Sequence, residues 1–218
     1  MSWSSLVALG DSFTSGHGES VNGETCRSWV EHVAELTRCD QGSTPSTLNL
    51  ARYGATVAVV TADQLPHALA ARADVFSVVV GANDVRQADW DRQSFELALA
   101  GVLRSGAATG ASLLVGNLPN FALTVPLRDL RIKLALQARI FEANEIVERL
   151  AGEAGALLLD FCGHPATRDL RNYSSDLIHP NARGHRVIAD FIHQELVRWT
   201  AQRAPAPREK DRGQHAAS

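Results

Sequence analysis

The stretch LVALGDSFTSGHGES, from Leu6 to Ser20, decides how the chain is read. Val7, Ala8 and Leu9 suit an interior strand, and the apolar run stops abruptly at Gly10-Asp11-Ser12. The residues that follow, Thr14, Ser15, Gly16 and Gly18 among them, are small and suit a tight turn in which backbone amides can approach a ligand. In an open parallel sheet, ligands bind in the crevice beyond the carboxyl ends of the strands, so a strand ending in this way points to a site at its exit.

The rest of the chain repeats the signal. Short apolar runs alternate with longer segments of helical period, the pattern of parallel strands joined by crossover helices in the α/β class. Strands are expected at Ser5–Leu9, Thr47–Ala51, Val75–Val80, Ser112–Gly116 and Ala156–Phe161, each of the kind covered on both faces. Helices are expected at Arg27–Arg38, Val57–Ala71, Asp91–Thr109, Asp129–Gly152 and Asn181–Ala201. The clearest carries Leu130, Leu134, Ile140, Phe141, Val147 and Leu150 at mostly three- and four-residue steps. Asn144 interrupts that stripe and reads as a structural hydrogen-bonder.

At 218 residues and 45% hydrophobic content, the chain can bury one substantial core. Residues 1–202 read as one domain, and the Pro-, Ala- and charge-rich segment 203–218 as a disordered tail. A net charge of −3 supplies no global basic field for nucleic acid, which leaves small molecules as the expected partners. Cys26, Cys39 and Cys162 form no disulfide scaffold and no metal-type spacing, although a Cys26–Cys39 bridge is left open. The N-terminus lacks a signal-peptide pattern and no run is long enough for a membrane span, so a cytoplasmic protein without integral membrane association is expected.

Searching each strand exit gathers the unusual residues. The first exit holds Ser12, a candidate nucleophile; the second leads to Gly54, whose N–H can approach a ligand closely; the third holds Asn83, a side-chain amide donor. The fifth leads through Asp160 to SSDLIHPNARGH, where Asp176 and His179 are close enough for the carboxylate to orient the imidazole. Pro180 suits the opening of the last helix. Each residue alone has a plain structural use as a turn, cap or surface contact, and their convergence on one rim is what carries weight. Asp11 is expected to brace the first turn, Asp84 to tie down the third loop, and His185 to pack or to lie on the surface. Tyr53, Trp90, Phe121 and Trp29 are aromatic candidates for a pocket wall.

Four blocks in order, GDSFTSG with Ser12, ARYGAT with Gly54, GANDV with Asn83 and DLIHPNARGH with Asp176 and His179, resemble the SGNH hydrolases, also called GDSL-type esterases and lipases. They span residues 10 to 185. The resemblance implies a three-layer α/β/α sandwich, flavodoxin-like, with five parallel strands in the order 2-1-3-4-5. It also implies ester hydrolysis through an acyl-serine without metal or cofactor. On that correspondence Ser12 is the nucleophile, His179 the base and Asp176 its orienter, preferred over Asp160. Ser12 N–H, Gly54 N–H and Asn83 Nδ2 form the oxyanion hole. Phe13 stands where the name-giving motif has Leu, a departure that bears on pocket shape. The Gly-x-Ser-x-Gly elbow of the α/β-hydrolases is absent around Ser12.

The expected substrate is thus a small-molecule or lipid ester. An acyl-Ser12 could also pass its acyl group to an acceptor other than water, or serve an acyloxy elimination in a biosynthetic pathway. A non-catalytic binding protein is a further reading, and a metal-dependent phosphoesterase built on His17, Asp11, Asp84, Asp176, His179 and His185 a weaker one, with no HExxH or Cys-rich pattern behind it. The long connection from Gly116 to Leu130 is a candidate acyl pocket or lid.

Overall fold

The computed structural model describes residues 3–203. Arg203, expected to begin the tail, is the last residue of the final helix, and the rest of the expected tail, residues 204–218, lies outside the described residues. In chain order the elements are β1 (Ser5–Gly10), α1 (Ser12–Ser15), α2 (Trp29–Gln41), β2 (Ser46–Asn49), α3 (Val57–Val59), α4 (Leu65–Ala71), β3 (Val75–Val79), α5 (Arg92–Ala107), β4 (Ser112–Gly116), α6 (Leu130–Glu153), β5 (Leu157–Leu159) and α7 (Ala182–Arg203). A π-helical turn, Val60–Gln64, joins α3 to α4, so the helix expected over Val57–Ala71 is present with a widened middle. The five strands form one sheet in the order 2-1-3-4-5, every pair parallel.

The period-2 pattern of the strands divides the core into two layers. Val7, Leu9, Phe76, Val78 and Val115 pack on one face with residues such as Leu99 of α5 and Ile140 of α6. Leu6, Ala8, Val75, Val79 and Leu114 pack on the other with Trp29 and Val33 of α2 and Ile192 of α7. Both faces of the inner strands are buried, and this explains their nearly continuous apolar runs, in which Ser77 of β3 is buried as well. Helix starts follow side-chain caps: Asp91 accepts from Ser94 N–H and Asp129 from Arg131 N–H, so the two helices begin one residue after the acid.

Four expectations need correction. β2 is an edge strand, paired only with β1, and all four of its residues are exposed rather than covered on both faces. β5 ends at Leu159 because Asp160 turns the chain, its carboxylate accepting from Gly163 N–H at 2.9 Å. Pro180 does not open α7; it bridges Tyr173, and Asn181 caps the helix by accepting from Gly184 N–H at 3.0 Å. In α6 the apolar stripe is only half buried: Ile140, Val147 and Leu150 are in the core, whereas Leu130, Leu134 and Phe141 are exposed.

Because all strands run the same way, their exits share one rim. β1 lies next to β2 on one side and β3 on the other, the position where the strand order reverses, and Gly10-Asp11-Ser12 leaves the sheet there.

Candidate active site

The turn out of β1 is set by Gly10. Its φ of 153° is a conformation glycine adopts freely, and a Cβ there would lie 2.2 Å from the Val79 carbonyl oxygen on the neighbouring strand. Gln64, from the π-helical turn, fixes the same residue from both sides: its Oε1 accepts from Gly10 N–H at 2.8 Å and its Nε2 donates to Gly10 O at 2.9 Å. Asp11 then caps α1, accepting from Phe13 N–H at 3.0 Å, and Ser12 becomes the first residue of that short helix. The side chain of Phe13 is partly buried and packs on Phe161, 5.1 Å between ring centres, against the core layer that holds Trp29.

Ser12 Oγ lies 2.9 Å from His179 Nε2, and His179 Nδ1 lies 2.6 Å from Asp176 Oδ2. A carboxylate beside Nδ1 fixes the tautomer in which Nδ1–H donates to Asp176, leaving the Nε2 lone pair to accept from the serine hydroxyl. Asp176 Oδ1 also accepts from the N–H groups of Ile178 and His179, at 2.9 and 3.0 Å. Partial burial pushes the Asp176 carboxyl up, but the His179 side chain and these two amides outweigh it and hold it below the usual carboxylate range. It therefore stays ionised.

This loop is strained and then braced. Leu177 sits at φ 57°, a left-handed conformation uncommon outside glycine. Leu177 N–H donates to Ser174 O at 3.0 Å, Ser174 N–H to His179 O at 2.8 Å, and Thr124 Oγ1 to Leu177 O at 2.6 Å. Asn181 Nδ2 adds bonds to the Arg171 and Tyr173 carbonyls. The imidazole consequently reaches Ser12 from a backbone with few alternatives.

Two of the expected donors are tied to one another through Ala55, at the exits of β2 and β3. Gly54, at φ 76°, occupies the third position of a turn closed by Ala55 N–H on Arg52 O at 3.2 Å, and its own N–H takes no partner among the described residues. Asn83 Nδ2 donates one hydrogen to Ala55 O at 3.0 Å, which orients the amide and leaves its second hydrogen without a partner among the described residues. Among the described residues Ser12 N–H is likewise unengaged. Behind them, Asp84 accepts from Val57 N–H with both oxygens, at 3.1 and 3.2 Å, tying the third exit to α3. Burial, reinforced by Asp84, pushes Asp11 up to about 7, and burial pushes Asp84 up to about 6.

Several residues fall elsewhere. Asp160 accepts from Asn117 Nδ2 at 2.8 Å, away from the imidazole. His185 is fully buried, and burial lowers it to about 4, so it is a neutral packing residue. Trp29 and Phe121 belong to the core, and Trp90 packs on Phe95 while its Nε1 donates to Glu142. Of the four aromatic candidates, Tyr53 alone stands at the site: it is 66% exposed and its ring lies 5.6 Å from that of His179. The sequence reading missed the part of His17, whose ring lies edge-on to His179 and to Tyr53, 4.6 Å from each. It also missed Gln64, since neither residue carries a pattern that distinguishes it from a surface or helix-interior polar residue. All three cysteines are free thiols. Among the described residues no three His, Cys, Asp or Glu side chains cluster as metal ligands, and no helix is long and apolar enough to cross a membrane.

The fold recurs in solved structures. Axe2, an acetylxylan esterase from Geobacillus stearothermophilus, is 20% identical with a TM-score of 0.68, over 88% of this chain and 93% of that one. The psychrotrophic esterase EstA from Pseudoalteromonas sp. is 17% identical with a TM-score of 0.67, over 91% and 99%. A GDSL-like lipase homologue from Parabacteroides merdae is 17% identical with a TM-score of 0.72, over 88% and 94%. No curated protein sequence matches significantly. The family model described as GDSL-like lipase/acylhydrolase matches residues 8–187, which include all four blocks and nearly the whole sheet. The chain therefore belongs to the GDSL-like lipase/acylhydrolase family, serine hydrolases of carboxylic esters.

Proposed function

We propose that residues 1–202 form one hydrolase domain that cleaves a carboxylic ester of a small molecule or lipid through an acyl-Ser12 intermediate. The observation that carries this reading is the continuous path from Ser12 Oγ to His179 Nε2 at 2.9 Å and from His179 Nδ1 to Asp176 Oδ2 at 2.6 Å. His179 takes the Ser12 proton as Oγ attacks the carbonyl carbon, and Asp176 stabilises the imidazolium so formed without itself being protonated. The carbonyl oxygen gains negative charge, which Ser12 N–H, Gly54 N–H and the spare hydrogen of Asn83 Nδ2 bind. His179 then hands its proton to the departing alkoxide, and the alcohol leaves. Water repeats the sequence on the acyl-enzyme, with His179 as base and then as acid to Ser12.

Two features support water as the acceptor. Tyr53 is largely exposed and the Asp176 side chain is 44% exposed, so the rim is open to solvent beside His179. A transferase or an acyloxy-eliminating enzyme would need water held off the acyl-enzyme.

The test is intact-protein mass spectrometry after incubation with a fluorophosphonate, run on the wild type and on Ser12→Ala, with turnover of p-nitrophenyl acetate, butyrate and octanoate in parallel. Labelling and ester turnover are expected to require Ser12, and the three chain lengths rank the acyl group. Labelling that persists at another residue in Ser12→Ala, with turnover intact, would overturn the assignment.

A further inference from the structure

Exposed large apolar side chains occur singly at Leu97, Leu170 and Val197, but they gather in the connection between β4 and the body of α6, where Ile132 is exposed too, on the side of the helix opposite Leu130 and Leu134. None of the first ten residues of α6, Leu130 to Arg139, is fully buried. Leu130, Leu134 and Phe141 are 64%, 54% and 46% exposed, and Leu123 and Leu127 just ahead of the helix are exposed as well. At the period of an α-helix, steps of four and seven place Leu130, Leu134 and Phe141 on one stripe. Arg131 falls to one side of that stripe and Lys133 to the other. Basic side chains flanking an apolar stripe are the pattern of a helix that lies in a lipid–water interface, the leucines inserted and the long cations reaching the headgroups.

The charge of this segment opposes that of the molecule. The chain carries −3 overall, whereas residues 116–141 hold Arg128, Arg131, Lys133 and Arg139 against Asp129 alone. Asp129 is already engaged as the helix cap. A second copy of the chain meeting this face about a two-fold axis would set these cations against their own copies. An anionic surface would neutralise them.

Topology puts the segment beside the site. β4 leaves the sheet at the same rim as β1, and the chain passes directly into the connection that holds Leu123 and Leu127. Thr124, within it, donates to the carbonyl of Leu177, between Asp176 and Ile178.

We propose that Leu123 to Phe141 is an interfacial docking surface for an anionic lipid bilayer, which seats the active-site rim against that surface. The proposal goes beyond ester hydrolysis and does not depend on the role of Ser12, so it is tested in Ser12→Ala protein, where no lipid is consumed. The measurement is co-sedimentation with vesicles of phosphatidylglycerol and phosphatidylcholine in equal parts, and with phosphatidylcholine alone, at 50 and 500 mM salt. Binding is expected on the anionic vesicles only and is expected to fall with salt. Arg128→Glu/Arg131→Glu/Lys133→Glu is expected to weaken it by about 10²-fold or more, since each cation near an anionic membrane contributes about fivefold. Leu130→Ser/Leu134→Ser is expected to weaken it by at least about tenfold, because two inserted side chains are lost. The variants alter residues that are exposed or, for Lys133, partly buried, and far-UV circular dichroism confirms that they fold. Absence of binding to anionic vesicles, equal binding to neutral ones, or full binding by either folded variant would overturn the proposal. Sedimentation showing self-association abolished by Leu130→Ser/Leu134→Ser, with vesicle binding unchanged, would overturn it in favour of a second copy of the chain.

Discussion

Two stretches of the same rim are built on opposite terms. From Gly10 to Ser12 the chain is held at several points: Gln64 holds Gly10 from both sides, Asp11 caps the next turn, and Ser12 Oγ meets the His179 ring, while Ser12 N–H is left without a partner among the described residues. From Leu123 to Arg139 the chain leaves leucines in solvent and makes its attachments sparingly, through Thr124 to Leu177 and Arg139 to the Val85 and Gln87 carbonyls. The first region spends its bonds on placing one oxygen atom. The second leaves a surface. Changes in the first should therefore be read in the chemical step, and changes in the second in what the molecule touches.

The sharpest way to break this contrast is to remove the reacting groups. Ser12→Ala or His179→Ala should lower kcat for p-nitrophenyl esters by roughly three or more orders of magnitude, with thermal unfolding close to that of the wild type. A loss of activity matched by loss of folded protein would mean that the relay serves structure instead. Asn83→Ala should cost on the order of 10²–10³ in kcat. Because Asn83 Nδ2 also donates to Ala55 O, a variant that unfolds and one that merely slows are separated by measuring both. An unchanged kcat in folded Asn83→Ala would remove it from the oxyanion hole.

Much of the first region could be read in the sequence, because its chemistry depends on residue types in a fixed order. Ser12, Gly54, Asn83, Asp176 and His179 were each visible as the odd residue at a strand exit. The parallel sheet, too, follows from short apolar runs alternating with helices, whereas its order, 2-1-3-4-5, is what the family resemblance implied. What escaped was context. Gln64 looks like any polar residue on a helix, and only the widened turn at Val60–Gln64 aims it at Gly10. His17 offers no spacing that ties it to a residue more than 160 positions away, yet their rings are 4.6 Å apart. Periodicity in α6 correctly reported a helix and its apolar stripe; it could not report that the helix begins before the body of the protein does.

The acids behind the site give a test that reads stability rather than rate. Asp11 rises to about 7 and Asp84 to about 6, against an ordinary value of 3.8, chiefly because both are buried. Between pH 4 and 7 the folded protein thus binds more protons here than the unfolded chain does, so this pair's contribution to stability falls as pH rises. Asp11→Asn keeps a capping oxygen for Phe13 N–H and removes the ionisation. It should raise the melting temperature at pH 8 relative to the wild type, with a smaller difference at pH 5. If the difference between variant and wild type is the same at both values, the acid is ionised throughout in the folded protein.

The smallest expected effect separates the two halves of α6. Ile140 is fully buried and touches the α5 side of the core, and Ile140→Ala should destabilise the fold by about 2–5 kcal/mol. Leu134, less than two turns earlier, is 54% exposed, and Leu134→Ala should change stability by no more than about 0.5 kcal/mol, because it empties no cavity and Ala is the better helix former. Urea denaturation of the two variants measures both, and equal m-values would show that each acts on the native state rather than on the compactness of the unfolded chain. A Leu134→Ala cost as large as that of Ile140→Ala would mean the leucine is buried in solution, and the contrast between a committed rim and a free one would collapse. A negligible cost would mean that its presence on the surface has to be explained by something other than folding, which is the question the vesicle measurement answers.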